Sequence, residues 1–149
     1  MPDVLELTVD KFTFTVPTDR FYSDEGVWAL ADSNGVKVGL SDYLQQSSGD
    51  MAFVTVRTVG STLVFGQEMA QIETIKANVG LSSPVAGTIV EVNSALEDTP
   101  EIINSDPYGE GWLAVIEAQD WERDRTRLLD APAYLARIKA QVEEEANKG

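Results

Sequence analysis

The sequence predicts a mostly β fold in a single domain, closed at its C-terminal end by short helices. Three observations predict it. Apolar residues alternate with polar ones in short runs from Val4 to Ile116, the signature of half-buried strands. Glycine, asparagine and proline punctuate those runs at turn-like intervals. After Asp120 the apolar spacing lengthens to that of a helix. At 149 residues, with 43% hydrophobic and 24% charged residues, the chain suits one domain with a proper core and is too short for two independent ones.

The first runs, Leu5, Leu7, Val9 and then Phe12, Phe14, Val16, change phase across Asp10-Lys11 and predict two short strands or one bulged strand ended by Pro17. Trp28 and Leu30 precede Asp32-Ser33-Asn34-Gly35, and Val36, Val38 and Leu40 follow it. That arrangement predicts a hairpin, since asparagine and glycine both tolerate positive φ. Ser41 is positioned to cap a short helix over 42–46, which Ser47-Ser48-Gly49 would end. Phe53, Val54, Val56 and Val59 predict a strand ending at Gly60, and Leu63-Val64-Phe65-Gly66 leads into the next hairpin.

That hairpin, within 71–93, holds Lys76 at its tip between flanking strands pinned by apolar alternation. Helical turns are expected within 93–104, a proline turn at Asp106-Pro107-Tyr108-Gly109, and a buried strand at Trp112-Leu113-Ala114-Val115-Ile116. Trp121, Arg125, Leu128 and Leu129 fit a short helix. Asp130 caps a second with Pro132 in its first turn, whose face is Tyr134, Leu135, Ile138 and Val142; 143–145 reads as a solvated tail. Glycine-spaced segments at 59–66 and 84–92 flank the lysine, a weak internal symmetry that suits a folded-over sandwich.

Composition removes whole classes of chemistry. There is no cysteine and no histidine, which excludes thiol nucleophiles, disulfides, imidazole or thiolate metal sites and the usual near-neutral proton shuttle. A formal net charge of −14, from 11 basic and 25 acidic residues, repels nucleic acid and anionic membranes and favours partners with basic patches. No calcium-loop spacing, phosphate loop or membrane-length apolar run is present, and the N-terminus shows no secretory or mitochondrial address, so a cytoplasmic location is expected. No residue is singled out as catalytic. The lysines stand at 11, 37, 76, 139 and 148, which leaves Lys76 the one amine between Val38 and Ile138. Transfer or redox chemistry on such a chain calls for a borrowed group.

The segments Glu73-Thr74-Ile75-Lys76-Ala77 and Ser83-Pro84-Val85-Ala86-Gly87, with Gly60 and Gly66 before them, resemble the modification hairpin of biotinyl and lipoyl carrier domains. With the long run from Glu91 to Leu113, which includes Ile102-Ile103-Asn104-Ser105-Asp106-Pro107-Tyr108-Gly109, the chain resembles the glycine-cleavage H-protein family over about residues 21–142. The resemblance implies a barrel-sandwich hybrid with two small antiparallel sheets, partitioned as an N-terminal strand extension (1–20), a core (21–118) and C-terminal helices (119–149). It also implies lipoate in amide linkage on Lys76, with Glu73 in the modification motif, on a non-catalytic swinging-arm carrier. Ile75 and Ala77 stand where biotinyl domains usually carry methionines, which favours lipoyl over biotinyl. Implied partners are a lipoate ligase or lipoyl-transfer enzymes, dihydrolipoamide dehydrogenase, and either glycine cleavage enzymes or a heterodisulfide-reductase-like complex.

One family pattern is broken. The family's tyrosine, three residues, histidine, one residue, tryptophan is met by Tyr22 and Trp28, but Gly26 stands at the histidine position. That departure and the strand-like extension over 4–20 point to a lipoate-binding carrier of heterodisulfide-reductase-like sulfur oxidation. On this expectation the lipoylated protein fails to support glycine decarboxylation. The alternative is the glycine cleavage H protein itself, carrying an aminomethyl group. Lys76 has the same role in both.

Overall fold

A computed structural model describes residues 3–148; Met1 and Pro2, on which the N-terminal reading partly rests, and Gly149 lie outside the described residues. The chain opens with a hairpin of β1 (Val4–Val9) and β2 (Phe12–Pro17), in register from Val9↔Phe12 to Val4↔Pro17, turned by Asp10 at φ 55°. Short β3 (Phe21–Tyr22) leads into β4 (Val27–Asp32) and β5 (Gly35–Leu40), followed by α1 (Asp42–Ser48) and β6 (Met51–Val56). Two-residue β7 (Thr62–Leu63) precedes β8 (Glu68–Thr74), β9 (Asn78–Ser82) and β10 (Gly87–Val92). Then come α2 (Ala95–Asp98), α3 (Ile102–Ser105), β11 (Ala114–Ala118), α4 (Trp121–Asp124), a 3-10 turn (Arg125–Arg127) and α5 (Ala131–Lys148).

The described strands form three sheets: β1-β2, β3-β4-β5-β11-β10-β7 and β6-β8-β9. Two of them match the expected sandwich. The third arises because the N-terminal strands pair with each other and pack on α5 rather than joining either larger sheet. The main core lies between the larger sheets, with Val38, Leu40, Ile72, Leu81, Ile89 and Ile116 buried together. A second core joins the N-terminal hairpin to α5 through Phe14, Val16, Tyr22, Trp28, Tyr134 and Ile138. β4 serves both: Val27 and Ala29 enter the main core while Trp28, one residue out of phase, enters the second.

Several local expectations are corrected. The β4–β5 hairpin forms, but Asp32 pairs with Gly35, so Ser33 and Asn34 make the turn. Gly35 alone of these has positive φ (135°). α1 runs two residues past 46, to Gly49 at φ 94°, whose N–H donates to the Gln45 carbonyl. β6 stops at Val56, leaving Val59 exposed, and β11 starts at Ala114 rather than Trp112. Leu128 and Leu129 are not helical, because Leu129 exchanges two 2.8 Å backbone hydrogen bonds with Tyr22 and so extends β3. Residues 143–145 continue α5, consistent with the high helix propensity of glutamate and the packing of Val142 on the second core. Asp130 caps α5, accepting from Ala133 N at 3.0 Å. The two glycine-spaced segments do meet, with Gly87 paired to Leu63.

Three phenols of the second core, Tyr22, Tyr108 and Tyr134, have their hydroxyls engaged. Tyr22 stacks on Tyr134 with centroids 4.6 Å apart, worth about 0.5–1.5 kcal/mol beyond area burial. Tyr22 Oη donates to the Pro17 carbonyl at 2.6 Å, Tyr134 Oη shares a 2.7 Å hydrogen bond with Ser41 Oγ, and Tyr108 Oη donates to the Thr15 carbonyl at 2.6 Å. Burial is the main cause that raises all three phenols above their ordinary value. A raised folded-state value means that stability is complete below the unfolded value of about 10 and is lost as pH climbs past it. Stability, and with it the melting temperature, is therefore expected to hold from about pH 7 to 9, and the unfolding free energy then to fall by about 1.4 kcal/mol per buried phenol per pH unit above about 10. Thermal melts followed by circular dichroism check this; a curve still flat near pH 12 would contradict it.

Candidate functional site

β8 and β9 form the arms of a hairpin in register Ile72↔Val79 and Glu73↔Asn78. Alternation decides the faces: Ile72 is fully buried in the main core, and Glu73 is exposed on the outer face opposite Phe53 of β6. Thr74 closes the tip. Its N–H donates to the Ala77 carbonyl at 2.9 Å, and its Oγ1 accepts from Lys76 N at 3.2 Å and Ala77 N at 3.1 Å. A threonine hydroxyl folded back on the next backbone amides is a local turn device, so the three residues Ile75, Lys76 and Ala77 are held as a defined loop.

Lys76 is exposed at the apex, as the sequence predicts, but its stem is not simply pointing into water. A Cβ built on Gly49 would stand 3.5 Å from Lys76 Cδ and 3.6 Å from Cε, so the lysine methylenes run across the end of α1. Among the described residues, no ion pair engages Nζ, Glu73 included. The motif thus places Glu73 and Lys76 on one hairpin without bringing their charges into contact.

Two further residues hold the floor under the lysine: Asn104, whose role the sequence does not reveal, and Gly49, which the sequence marks only as part of a helix end. Asn104, at the end of α3, donates through Nδ2 to the Gly49 carbonyl at 2.9 Å and to Gln45 Oε1 at 3.0 Å. Its Oδ1 accepts from Met51 N at 2.9 Å. Gly49 ends α1 at positive φ, the conformation that favours glycine, and lies beside the lysine stem. Thr74 had a sequence signal, a hydroxyl residue two before the lysine; Asn104 lies in the run that carries the family resemblance, but its role was not legible there because its partners are 53 to 59 residues away.

Gly26 lies in the tight turn between β3 and β4, where its N–H donates to the Ser23 carbonyl at 3.0 Å and its carbonyl accepts from Ser41 N at 2.8 Å. Neighbouring Glu25 accepts from Ser82 N at 3.0 Å, tying this turn to the base of the lysine hairpin. Gly26 has φ 97°, and a Cβ there would lie 2.7 Å from Tyr134 Oη and 3.0 Å from Ser41 Oγ. Glycine at this position is therefore required by the backbone and by the Ser41–Tyr134 hydrogen bond.

Among the described residues no three Asp or Glu side chains are grouped to hold a metal ion. The site offers an accessible amine on a rigid support, a place for attachment. No described helix is long and apolar enough to cross a membrane.

The chain matches the glycine cleavage H-protein family over residues 20–141. It is 44% identical over 119 residues to a glycine cleavage system H protein of Thermus thermophilus, covering 80% of this chain and 92% of that one. It is 43% identical over 126 residues to a probable glycine cleavage system H protein of Natronomonas pharaonis, covering 85% of this chain and 98% of the other. The crystal structure of a glycine cleavage system H protein from Mycobacterium marinum superposes with a TM-score of 0.74 at 34% identity, covering 81% of this chain and 97% of that one. The fold is accordingly the mostly β barrel-sandwich hybrid with short helices, and the hairpin β1–β2 precedes the matched region. This chain belongs to the glycine cleavage H-protein family.

Proposed function

We propose that this chain is a lipoyl carrier, modified through an amide on Lys76, that presents an aminomethyl cargo to the enzymes of glycine cleavage. The observation that carries the reading is Lys76 itself: an exposed amine at the tip of a pinned hairpin, with its stem over Gly49 and no ion pair at its head. An amine so placed fits an acyl group, since amide formation needs an unhindered nitrogen and removes one positive charge, taking the formal net charge from −14 to −15. When bound, the lipoyl group supplies a pair of redox-active sulfurs to a chain without cysteine. The chain's own residues position the root of the arm: Thr74 fixes the loop, and Asn104 and Gly49 fix the ground beneath it. Tethering holds the arm near a docked partner at an effective concentration on the order of millimolar. The carrier is non-catalytic in this reading, and Glu73 belongs to the surface that the lipoyl-attaching enzyme meets.

The relatives named above are glycine cleavage H proteins, which supports an aminomethyl cargo over a sulfur-borne one. The sequence argument for sulfur oxidation leaned on Gly26, and that glycine has a local reason in its turn, independent of cargo. The N-terminal extension, the other argument, is folded onto α5. Partners on this reading are a lipoate ligase or lipoyl-transfer enzyme, the glycine decarboxylase, the aminomethyltransferase and dihydrolipoamide dehydrogenase.

The test uses the full chain, lipoylated and checked by intact mass, in a glycine–bicarbonate carbon exchange assay with a glycine decarboxylase. The expected result is exchange that depends on the lipoylated chain. No exchange from fully lipoylated protein would overturn the aminomethyl cargo and restore the sulfur-borne alternative.

A further inference from the structure

β6 is an edge strand, and between it and α2 runs a groove of about 630 Å³. Its apolar wall includes Phe53, Val54, Leu96 and Pro100, with Phe53 67% exposed. On the adjoining hairpin tip, Ile75 is 91% exposed. Large apolar side chains so open to water, next to an exposed amine, mark a surface that something covers. The groove's rim is Glu97, Asp98 and Glu101; Glu73 stands opposite Phe53, and Asp50 adjoins the strand. Among the described residues, none of these five exposed carboxylates is in an ion pair.

Charge selects the occupant. A second copy of this chain would set the same acidic rim against itself on molecules of net charge −14, and like-charge juxtaposition is costly. A protein surface with an apolar projection ringed by lysine or arginine satisfies both features, the uncovered Phe53 and the unpaired carboxylates.

We propose that this groove, together with Ile75, is the docking face for a basic, apolar-tipped surface of the enzyme that attaches the lipoyl group to Lys76. The proposal rests on the lipoyl-carrier reading of Lys76. The register brings the two together: Phe53 pairs with Glu73, three residues before the lysine, and Gly49 under the lysine stem is two residues before Met51 at the groove. An enzyme seated on β6 and α2 therefore has its active centre within reach of Nζ, and the acidic rim orients its approach.

The experiment follows ligation of lipoate to the full unmodified chain by a purified lipoate ligase with ATP, reading KM for the carrier and kcat separately. Two variants are compared with the parent: Phe53→Ser, and Glu97→Gln with Asp98→Asn and Glu101→Gln together. A control carries Glu6→Gln, Glu117→Gln and Glu143→Gln, which changes net charge equally but away from the groove. KM is expected to rise about tenfold in both groove variants, with kcat within about twofold and the control unchanged. Raising ionic strength should weaken the parent more than the rim variant. Groove variants with unaltered KM, or a control that rises as much as the rim variant, overturn the docking face while leaving the carrier reading in place. No mass gain on the parent, or a gain that survives Lys76→Arg, strikes the carrier reading itself.

Discussion

Lys76→Arg is expected to abolish covalent loading completely while leaving the fold untouched. Arginine keeps the charge and a stem long enough to lie across Gly49, so the packing that fixes the root of the side chain survives. The guanidinium, however, stays protonated at any accessible pH and offers no nucleophilic nitrogen for amide formation. The residue is exposed and in no ion pair, so the change in stability should stay within about 0.5 kcal/mol. Intact mass after incubation with lipoate ligase, lipoate and ATP gives the first readout and a thermal melt the second. Loss of loading with a lowered melting temperature would mean that the lysine is a structural residue, and loading that persists would place the attachment elsewhere.

The second large effect is at Gly26. Gly26→Ala is expected to cost about 2–5 kcal/mol, from two sources of similar size. An L-residue held at φ 97° is strained by about 1–2 kcal/mol. The new methyl would also stand 2.7 Å from Tyr134 Oη and 3.0 Å from Ser41 Oγ, prising apart their buried hydrogen bond at about 1–3 kcal/mol. For a domain of this length the melting temperature should drop by roughly 10 °C. Since Lys76 is on another element, ligation of the folded fraction should continue at the parental rate. An alanine variant as stable as the parent would remove the local explanation for the missing histidine and reopen the question of cargo.

The lysine hairpin was legible because two independent signals coincide there. Alternation through Ile72 and Leu81 demands a buried face, and the motif around Lys76 names the tip. The flanking strands, the Ser41 and Asp130 caps and the proline turn at 106–109 were legible for the same reason, as each is decided within a few residues. Features fixed by distant partners were not. Leu129 looks helical by spacing, yet becomes extended because Tyr22, over a hundred residues earlier, takes both its backbone hydrogen bonds. Asn104 carries no periodic signal and acquires its role only when α3 meets the end of α1. The N-terminal alternation showed strands but not which sheet they would join, because α5 competes for their apolar face. Gly26 departs from the family pattern in sequence, and its backbone angle, invisible there, makes it a requirement of the turn.

The Lys76 methylenes run past Gly49, so the root of the proposed tether lies beside the end of α1. Thr74 hydrogen-bonds the loop and Asn104 braces the helix end, so the backbone at the root of the side chain is held. On the carrier reading proposed for Lys76, successive enzymes would meet an arm rooted on a backbone that is already held. The search each must make is over the arm's own torsions alone, and the ordering entropy of the base is met once, at folding, instead of at every encounter.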